Sequence, residues 1–252
     1  MAYVHKHKLS TRLKIVQLAA RLFIEEGYNK TSAGKIGKLL NLSTGNITFY
    51  FPSKDHLLAV IIEELFDFQN MMMEHAAEEG KSSLLAYCLE LCSIASICAE
   101  DEVARSFYTA AYTAPITLDH IRTNDVEKTK SVFERFRPDW SDEEWLATEN
   151  IVSGIEYSII TTTEEHTPLA LQIEKSLDSI LMIYGVPSEL RRIKLDKVLS
   201  MDYRAVGRRI LGEFKEYIER VNEENLRNSI NEKRPYRKKA RPEAEIAEAE
   251  TV

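Results

Sequence analysis

No apolar run in the sequence is long enough to cross a membrane. The most apolar windows, near residues 57–68 and 151–160, are short and carry acidic residues, whereas a membrane helix needs about 20 consecutive apolar residues. Residues 1–9 are polar and basic and lack the apolar core of a signal peptide. With 44% apolar and 29% charged residues, the chain is predicted to be a cytoplasmic, soluble protein with no membrane partner.

Cysteine is also scarce. The three cysteines, Cys88, Cys92 and Cys98, cannot all pair with one another, and such low usage is typical of a reducing compartment. Cys88 and Cys92 share a helical face, but a zinc site usually starts from a tight Cys-x2–4-Cys loop and needs four ligands. We therefore expect buried packing residues, with metal binding or redox sensing as the alternative.

Motifs that carry catalysis or hold cofactors are missing. The chain has no Gly-rich phosphate loop, no nucleophile elbow and no His-x-x-x-His pair. Met71, Met72 and Met73 cover nearly every face of one helix, which favours adaptable packing over a cofactor box. The sequence therefore predicts no enzymatic activity, no cofactor and no metal site.

Strand signals are scarce, whereas helical periodicity covers almost the whole chain, so the predicted fold class is all-α. A first helix is expected to end at Gly27, a left-handed cap over which Tyr28 folds back. The spacing also predicts a long fourth helix that begins after Pro52 and Ser53. Its apolar stripe consists of Leu57, Ile61, Leu65, Phe68 and Met72.

Two short helices are predicted between the first and fourth helices. Thr31 or Ser32 caps the second helix, which runs through Leu40, and Asn41 accepts the left-handed conformation of a tight turn. Gly37 provides the small residue that lets the next helix cross closely. Two short helices joined this tightly, behind a bracing helix, are typical of a helix-turn-helix.

The third helix begins at the capping residue Ser43 and points Ile47 and Phe51 inward, one helical turn apart. Its other residues then face outward or sideways, and they include Thr44, Asn46, Thr48, Phe49 and Tyr50. Thr and Asn can bond base edges, an aromatic ring can touch a thymine methyl, and a Tyr hydroxyl can bond phosphate. Lys54, at the start of the fourth helix, can meet the same phosphate backbone.

Charge is unevenly divided along the chain. Residues 1–55 carry nine Lys/Arg and three Asp/Glu, a net charge of about +6, which leaves about −13 for the remainder. A basic N-terminal segment on an acidic body indicates a polyanionic partner for that segment, although a basic solvated face has the same composition.

The segment "AARLFIEEGYNKTSAGKIGKLLNLSTGNITFYFPSKDHLL" resembles the N-terminal domain of TetR-family transcriptional regulators, over about residues 10 to 60. The resemblance implies that Thr44, Asn46 and Phe49 face bases, and that Tyr50 and Lys54 contact phosphate. It matches Thr31 to the residue that caps the second helix near the DNA backbone. The complete predicted DNA-binding set is Thr31, Lys35, Thr44, Gly45, Asn46, Thr48, Phe49, Tyr50 and Lys54.

Two positions depart from the family pattern. The family usually has an aromatic residue where this chain has Thr48, which shortens or removes one phosphate contact. The usual glycine of the turn is Asn41 here, a residue that the left-handed backbone also accepts.

The remaining chain is predicted to form a larger helical domain. We expect residues 1–53 to be the DNA-binding domain, 54–227 a ligand-binding and dimerisation domain, and 228–252 a disordered charged tail. Helical segments are expected near 82–99, 101–113, 115–136, 141–165, 168–185, 188–200 and 203–230, divided by prolines.

The resemblance implies that this body binds a small molecule and dimerises through two late helices. Residues 141–165 and 168–185 are the candidates for the interface, and the stretch from Ser188 onward is the alternative. Ile151, Ile155, Ser158 and Thr162 share one face, while Ser153 and Gly154 would permit close approach. The candidate ligand-binding residues are Met72, Tyr87, Phe107, Tyr108, Tyr112 and Tyr157, although most aromatics in such a domain are core.

The predicted function is a homodimeric, sequence-specific regulator of transcription that binds near-palindromic double-stranded DNA. A repressor released by an unknown small-molecule effector fits the resemblance best. The alternatives are a DNA-binding protein of the same build that is controlled by a protein partner or acts architecturally, and an enzyme or binding protein that merely contains these helices.

Overall fold

The protein is described from a computed structural model, which covers residues 10–78, 82–165 and 167–221, with the side chains of residues 73–78 left out. Within these ranges it contains eleven α-helices, one short 3₁₀ helix and no strand, so the all-α prediction is confirmed. The helices are α1 (Thr11–Glu25), α2 (Ala33–Leu40), α3 (Thr44–Tyr50), α4 (Lys54–Glu78), α5 (Ser83–Glu100), α6 (Glu102–Thr113), α7 (Pro115–Phe133), α8 (Asp142–Thr161), α9 (Leu169–Ile183), α10 (Ser188–Leu199) and α11 (Tyr203–Arg220), with the 3₁₀ helix at Glu134–Phe136.

Helix α1 ends as its sequence predicts. Gly27 follows the last turn with φ at 99°, a left-handed conformation that residues with a Cβ rarely adopt. The chain then reverses, and the ring of Tyr28 packs edge-on against Phe23 at a centroid distance of 4.9 Å. This contact fixes the direction in which the chain enters α2.

The turn between α2 and α3 depends on two residues. Asn41 adopts φ 56° and ψ 40°, the left-handed conformation expected of it. A Cβ on Gly37 would lie 2.7 Å from the carbonyl oxygen of Leu42, so only glycine allows the turn to close this tightly against α2. Ser32, rather than Thr31, caps α2, because the Ser32 hydroxyl accepts from the backbone N–H of Lys35.

Helix α4 belongs to the same hydrophobic cluster as the first three helices. Leu57, Ile61, Leu65 and Phe68 of its predicted stripe are buried, and Met72 is partly buried. The cluster continues from α1 into α6 and α11, where Phe107 and Phe214 are also fully buried. The N-terminal helices therefore pack on the body through a continuous apolar core.

Helix α5 lies at the centre of the body. It packs against α6, α8, α9, α10 and α11, and the sequence analysis did not identify it as the most apolar segment. By length and composition α5 could cross a membrane, with a mean hydropathy of 1.5, but 61% of it is buried inside the protein. Its cysteines are packing residues here: all three are buried, and burial raises the pKa of Cys88 and Cys98 to about 12.

The predicted helical segments of the body occur with ends shifted by up to about four residues, except that residues 222–230 of the last predicted segment lie outside the described residues. The domain boundary between residues 53 and 54 stays a prediction. The proposed disordered tail, 228–252, lies outside the described residues, as do residues 222–227 of the second predicted domain.

The crossing of α5 and α11 gives a direct test of this packing. A Cβ on Gly207 would lie 2.7 Å from the carbonyl oxygen of Ser93, whereas a Cβ on Gly212 of the same helix would meet nothing within 4 Å. We predict that Gly207→Ala lowers the free energy of unfolding by about 1–3 kcal/mol. Gly212→Ala should raise it by up to about 1 kcal/mol, since alanine favours helix. Urea denaturation measures both, and equal stability of the two variants would contradict this crossing.

Candidate nucleic-acid interface and interior cavity

Helix α3 presents nearly all of its surface to solvent. Ile47 and the following Phe51 are 2% and 3% exposed, as predicted, and they hold the helix to the core. Phe49 is 81% exposed, a large apolar ring that no part of the described chain covers. The rest of the predicted base-facing surface, Thr44, Gly45, Asn46, Thr48 and Tyr50, is exposed as well.

Hydrogen bonds within α3 orient two of these polar side chains. The Oδ1 atom of Asn46 accepts a hydrogen bond from the Ser43 hydroxyl. The side-chain N–H groups of Asn46 take no part in this hydrogen bond. The Thr48 hydroxyl donates to the Gly45 carbonyl at 3.1 Å. Because phosphate oxygens need a donor, Thr48 would have to break this bond to contact a phosphate.

Lys54 is more deeply engaged in the fold than the sequence predicts. Its Nζ donates to the carbonyl oxygens of Tyr28 (3.1 Å) and Thr31 (3.3 Å) and lies 3.9 Å from the centroid of the Tyr28 ring. Burial lowers the pKa of Lys54, and the neighbouring Asp55 carboxylate partly offsets this. Asp55 in turn accepts a hydrogen bond from the Tyr28 hydroxyl. Lys54 and Asp55 together fasten the start of α4 to the loop between α1 and α2.

Two residues of the predicted DNA-binding set have partners within the protein. Thr31 is 1% exposed and its hydroxyl donates to the Gly27 carbonyl at 3.1 Å, so its side chain serves the fold instead of an outer surface. Lys35 is partly exposed and forms an ion pair with Glu26. Exposed ion pairs contribute little, so a phosphate could replace Glu26 at small cost.

An interior cavity of about 40 Å³ lies among α4, α5, α6, α7 and α8. Its apolar walls include Ile62, Leu65 and Phe66 of α4 and Leu91 and Ile94 of α5. Its charged lining consists of Glu90, Asp125, Lys128 and Glu156. A second, broader cleft of about 550 Å³, bordered by Tyr28, Asp55 and α6, is much more open to solvent.

Neutral groups provide most of the hydrogen bonds to the buried carboxyls. Lys128 pairs with Glu90 at 2.6 Å, whereas Glu156 accepts from the Tyr112 hydroxyl at 2.9 Å. Desolvation raises the pKa of Glu156 well above its ordinary value and that of Asp125 to about 7, and the two groups repel each other. Burial therefore favours the protonated form of both carboxyl groups.

The predicted ligand-binding residues divide into three groups. Tyr108 and Tyr112 line the cavity. Tyr87 is buried beside it, within the electrostatic field of Glu156 and Asp125. The cavity lining does not include Phe107, a core residue, or the partly buried Met72.

Tyr157 does not line the cavity. It is 38% exposed on the outer face of α8, because it follows the inward-facing Glu156 by about 100° around the helix. Sequence reasoning also missed the charged lining. The sequence did contain a signal for this lining, because Glu156 is the acidic residue within the apolar window 151–160.

Helices α8 and α9 carry an apolar surface on the outside of the body. We call Leu146, Ile151, Tyr157, Leu171 and Met182 the outer apolar face; each is 38–60% exposed. Gly154 lies in the exposed part of α8, where an added Cβ would meet nothing within 4 Å. Ser153, by contrast, is buried and accepts a hydrogen bond from Arg122 at 3.0 Å, so it does not permit close approach on the outer face.

Comparison with known proteins identifies the N-terminal helices. The family model described as bacterial regulatory proteins, tetR family, matches residues 15–61. The uncharacterized HTH-type transcriptional regulator YuxN of Bacillus subtilis is 34% identical over 77 residues, which are 31% of this chain and 26% of that protein. The HTH-type transcriptional regulator QacR of Staphylococcus aureus is 43% identical over 49 residues, 19% of this chain and 26% of QacR. The match thus spans about a quarter of the length of these two relatives.

The fold of about two thirds of the chain resembles that of a solved regulator. The crystal structure of Thermus thermophilus FadR, a TetR-family transcriptional repressor in complex with lauroyl-CoA, has a TM-score of 0.52 and 18% identity to this chain. The superposition covers 70% of this chain and 95% of FadR. At this identity the likeness shows a shared fold. The exposed α3, the glycine-dependent turn before it and these matches lead to one conclusion: the N-terminal helices, over residues 15–61, form a helix-turn-helix domain of the tetR family of bacterial regulatory proteins.

Proposed function

We propose that this chain is a homodimeric, sequence-specific DNA-binding repressor that a small-molecule effector releases from its operator. The observation that carries the proposal is the surface of α3. Helix α3 has seven residues, of which Ile47 is buried, whereas Phe49 is 81% exposed. The helix therefore contributes little to the hydrophobic core. Such a helix fits the major groove, where small polar groups bond base edges and a ring contacts the thymine methyl.

Two copies are needed for useful discrimination. One short helix contacts only a few base pairs, so two recognition helices would bind half-sites about 34 Å apart on a near-palindromic operator. The outer apolar face on α8 and α9 supports this arrangement, because its exposed apolar side chains could be buried against a second copy of the chain. Gly154 would let the partner helix approach closely.

The effector would act through α4. This helix begins at Lys54, beside the proposed DNA-binding surface, and its residues Ile62, Leu65 and Phe66 form a wall of the interior cavity. A ligand that widens the cavity would tilt α4 and change the distance between the two recognition helices. Since α4 spans about 35–40 Å at 1.5 Å per residue, a small tilt moves its far end by several ångströms.

The size of the cavity favours a second candidate function. Sites for small molecules usually enclose about 300–1,000 Å³, whereas this cavity measures about 40 Å³. The chain would then be a TetR-like DNA-binding protein controlled by a protein partner or acting architecturally. A ligand screen for release of the bound operator separates the two, and the operator itself is obtained by selecting bound duplexes from random DNA.

The proposed contact between α3 and the bases is tested with the substitution Phe49→Ala. Removing this exposed ring should leave the melting temperature unchanged but weaken binding to the selected operator by roughly 1–3 kcal/mol per half-site. Binding to scrambled duplex should not change, because that binding depends on phosphate contacts. Fluorescence anisotropy at fixed salt measures both. Leu39→Ala, which removes a 54% exposed side chain from α2, is the control, and an equal loss in both variants would contradict the placement of α3 in the groove.

The dimer surface is tested with a matched pair of charges. Ile151→Glu places a carboxylate on the outer apolar face, and the two-fold symmetry of a dimer would bring two such charges together out of water. We expect this variant to be a monomer at micromolar concentration by light scattering. Ile193→Glu makes the same change at a 52% exposed position on α10 and should leave the dimer intact. Dissociation by Ile193→Glu alone would move the interface to residues 188 onward.

A further inference from the structure

Helix α11 ends against helix α1 of the N-terminal domain. The side-chain amide of Gln17, in the middle of α1, donates to the backbone carbonyls of Glu219 (3.0 Å) and Val221 (3.4 Å). The side chain of Val221 is 5% exposed and belongs to the hydrophobic cluster that α1 shares with α4. Lys215 of α11 and Glu25 of α1 form an ion pair at 4.0 Å. The last described residue of the chain is therefore fixed beside the predicted DNA-binding domain.

Helix α11 carries the chain from the body to the N-terminal domain. Its first turn is attached to the body, where Arg204 pairs with Glu100 at the end of α5 and with Glu164 after α8. Over 18 residues, a rise of 1.5 Å per residue moves the chain by about 27 Å. The helix packs on α5 and also meets α1 and α4. The residues that follow Val221 therefore start from the N-terminal domain.

The sequence after Val221 contains a compact basic segment. The stretch KRPYRKKAR, residues 233–241, has six Lys or Arg and no acidic residue, and we call it the C-terminal basic cluster. Residues 222–252 as a whole hold seven Lys or Arg and seven Glu, so their net charge is zero and the cations are concentrated in the cluster. Blocks of five or six cations are typical of segments that bind nucleic acids.

The cluster is near enough in sequence to reach a duplex bound by α3. Lys233 is twelve residues beyond Val221, and a chain spans at most about 3.3–3.6 Å per residue, which gives a reach of about 40 Å. Helix α1, with 15 residues, is only about 22 Å long. Every side of the N-terminal domain therefore lies within the reach of the cluster, including the side that presents α3.

Two exposed cations of α1 flank the contact with α11. Lys14 precedes Gln17 by three residues and Arg21 follows it by four, so the three side chains share one face of the helix. Neither Lys14 nor Arg21 forms an ion pair with another described residue. The surface next to the end of α11 therefore carries positive charge that the described part of the protein does not neutralise.

We propose that the C-terminal basic cluster is a second DNA-binding element, which contacts the phosphates of duplex DNA next to the half-site that α3 occupies. This rests on the proposed function, because the duplex must be held by the N-terminal domain. Each Lys or Arg that meets a phosphate releases a counterion and adds affinity that does not depend on sequence. The cluster holds the protein on the DNA, whereas α3 selects the sequence.

The composition of the cluster favours a duplex over an anionic membrane. Attachment to a membrane surface draws on buried apolar area in addition to charge. The cluster contains no Leu, Ile, Val, Phe or Met, and its one aromatic residue is Tyr236. A Tyr hydroxyl can donate to a phosphate oxygen of DNA, so this residue also suits a duplex.

The test is the salt dependence of DNA binding by the full chain. A cluster variant and a matched control each replace one arginine and two lysines by glutamine. The substitutions are Arg237→Gln, Lys238→Gln and Lys239→Gln in the cluster variant, and Arg192→Gln, Lys194→Gln and Lys197→Gln on α10 in the control. The duplex carries the selected operator, extended on each side by one helical turn, roughly 10 base pairs.

Fluorescence anisotropy gives the affinity at several salt concentrations. The slope of log affinity against log salt should become shallower by about two to three units in the cluster variant, since each lost phosphate contact removes about 0.9. The affinity of this variant at about 0.1 M salt should fall tenfold or more. The control should keep the slope of the wild type. Equal slopes for the wild type and the cluster variant would overturn the proposal.

Hydroxyl-radical footprinting locates the contact on the DNA. The wild type should protect backbone positions outside the operator half-sites, and the cluster variant should lose this protection while it keeps that of the half-sites. A duplex trimmed to the half-sites should bind the wild type and the cluster variant with similar affinity. Identical footprints for the two proteins would contradict the placement of the cluster beside the half-site.

Other occupants of the cluster are separated by two further measurements. If the substitutions weaken binding to phosphatidylglycerol vesicles and leave DNA binding unchanged, the cluster binds membranes and the proposal is wrong. If they change the melting temperature of the free protein and leave the salt slope unchanged, the cluster binds acidic groups of its own chain, which also overturns the proposal.

The same measurements distinguish this proposal from the repressor function. If no operator can be selected, but the wild type binds random duplex with a steeper salt slope than the cluster variant, the cluster binds DNA and the repressor function fails. If a selected operator is bound by both proteins with the same slope and the same footprint, the repressor function stands and the second DNA-binding element is wrong.

Discussion

Helix α4 packs against both the N-terminal helices and the body. The arrangement of the rest of the molecule depends on these two sets of contacts. Its N-terminal part is held by Lys54 and Asp55 to the loop after α1, and its apolar stripe shares one core with the recognition domain. Further along, Ile62, Leu65 and Phe66 form a wall of the cavity. Because interiors are close-packed, a change in that wall cannot be absorbed locally and must shift the helix. In the proposed mechanism, this constraint couples the orientation of α3 to the state of the body.

The buried carboxyl groups of Asp125 and Glu156 lower the stability of the fold. Their position is therefore informative. A core of this size could be completed by apolar side chains at positions 125 and 156, and such replacements often stabilise proteins. The chain instead keeps carboxyls that are bonded by neutral groups and whose pKa values burial raises. Polar groups retained at this cost are typical of sites where stability is traded for binding.

Much of the N-terminal domain can be predicted from the sequence because its determinants are local. A cap, a left-handed residue and a glycine at a close approach fix α2, the turn and α3 within about twenty residues, and Gly37 and Asn41 behave as their types require. For Lys54 the sequence predicts only a contact with the phosphate backbone. Its bonds to the carbonyls of Tyr28 and Thr31 depend on how the chain returns after α1, which no local pattern specifies.

The cavity could not be predicted in the same way. Helices α5 and α8 are apolar on several faces, so periodicity does not say which face meets α4 and which lies outside. The orientation of two adjacent residues on α8 therefore differs from the prediction. Tyr157, which was predicted to bind the ligand, is on the surface, whereas Glu156 faces the cavity. The acid inside the apolar window 151–160 was the usable signal, since Glu156 is buried and lines the cavity.

The central claim is that the cavity and the recognition helix are coupled through α4. Coupling between two binding sites is reciprocal: if an effector weakens operator binding by some factor, the operator must weaken effector binding by the same factor. The direct measurement is calorimetry of an effector found by the operator-release screen, with the dimer free and with the dimer saturated by operator. We predict a fall in effector affinity on the operator complex that matches the measured loss of operator affinity. Equal effector affinity in the two titrations would contradict this coupling.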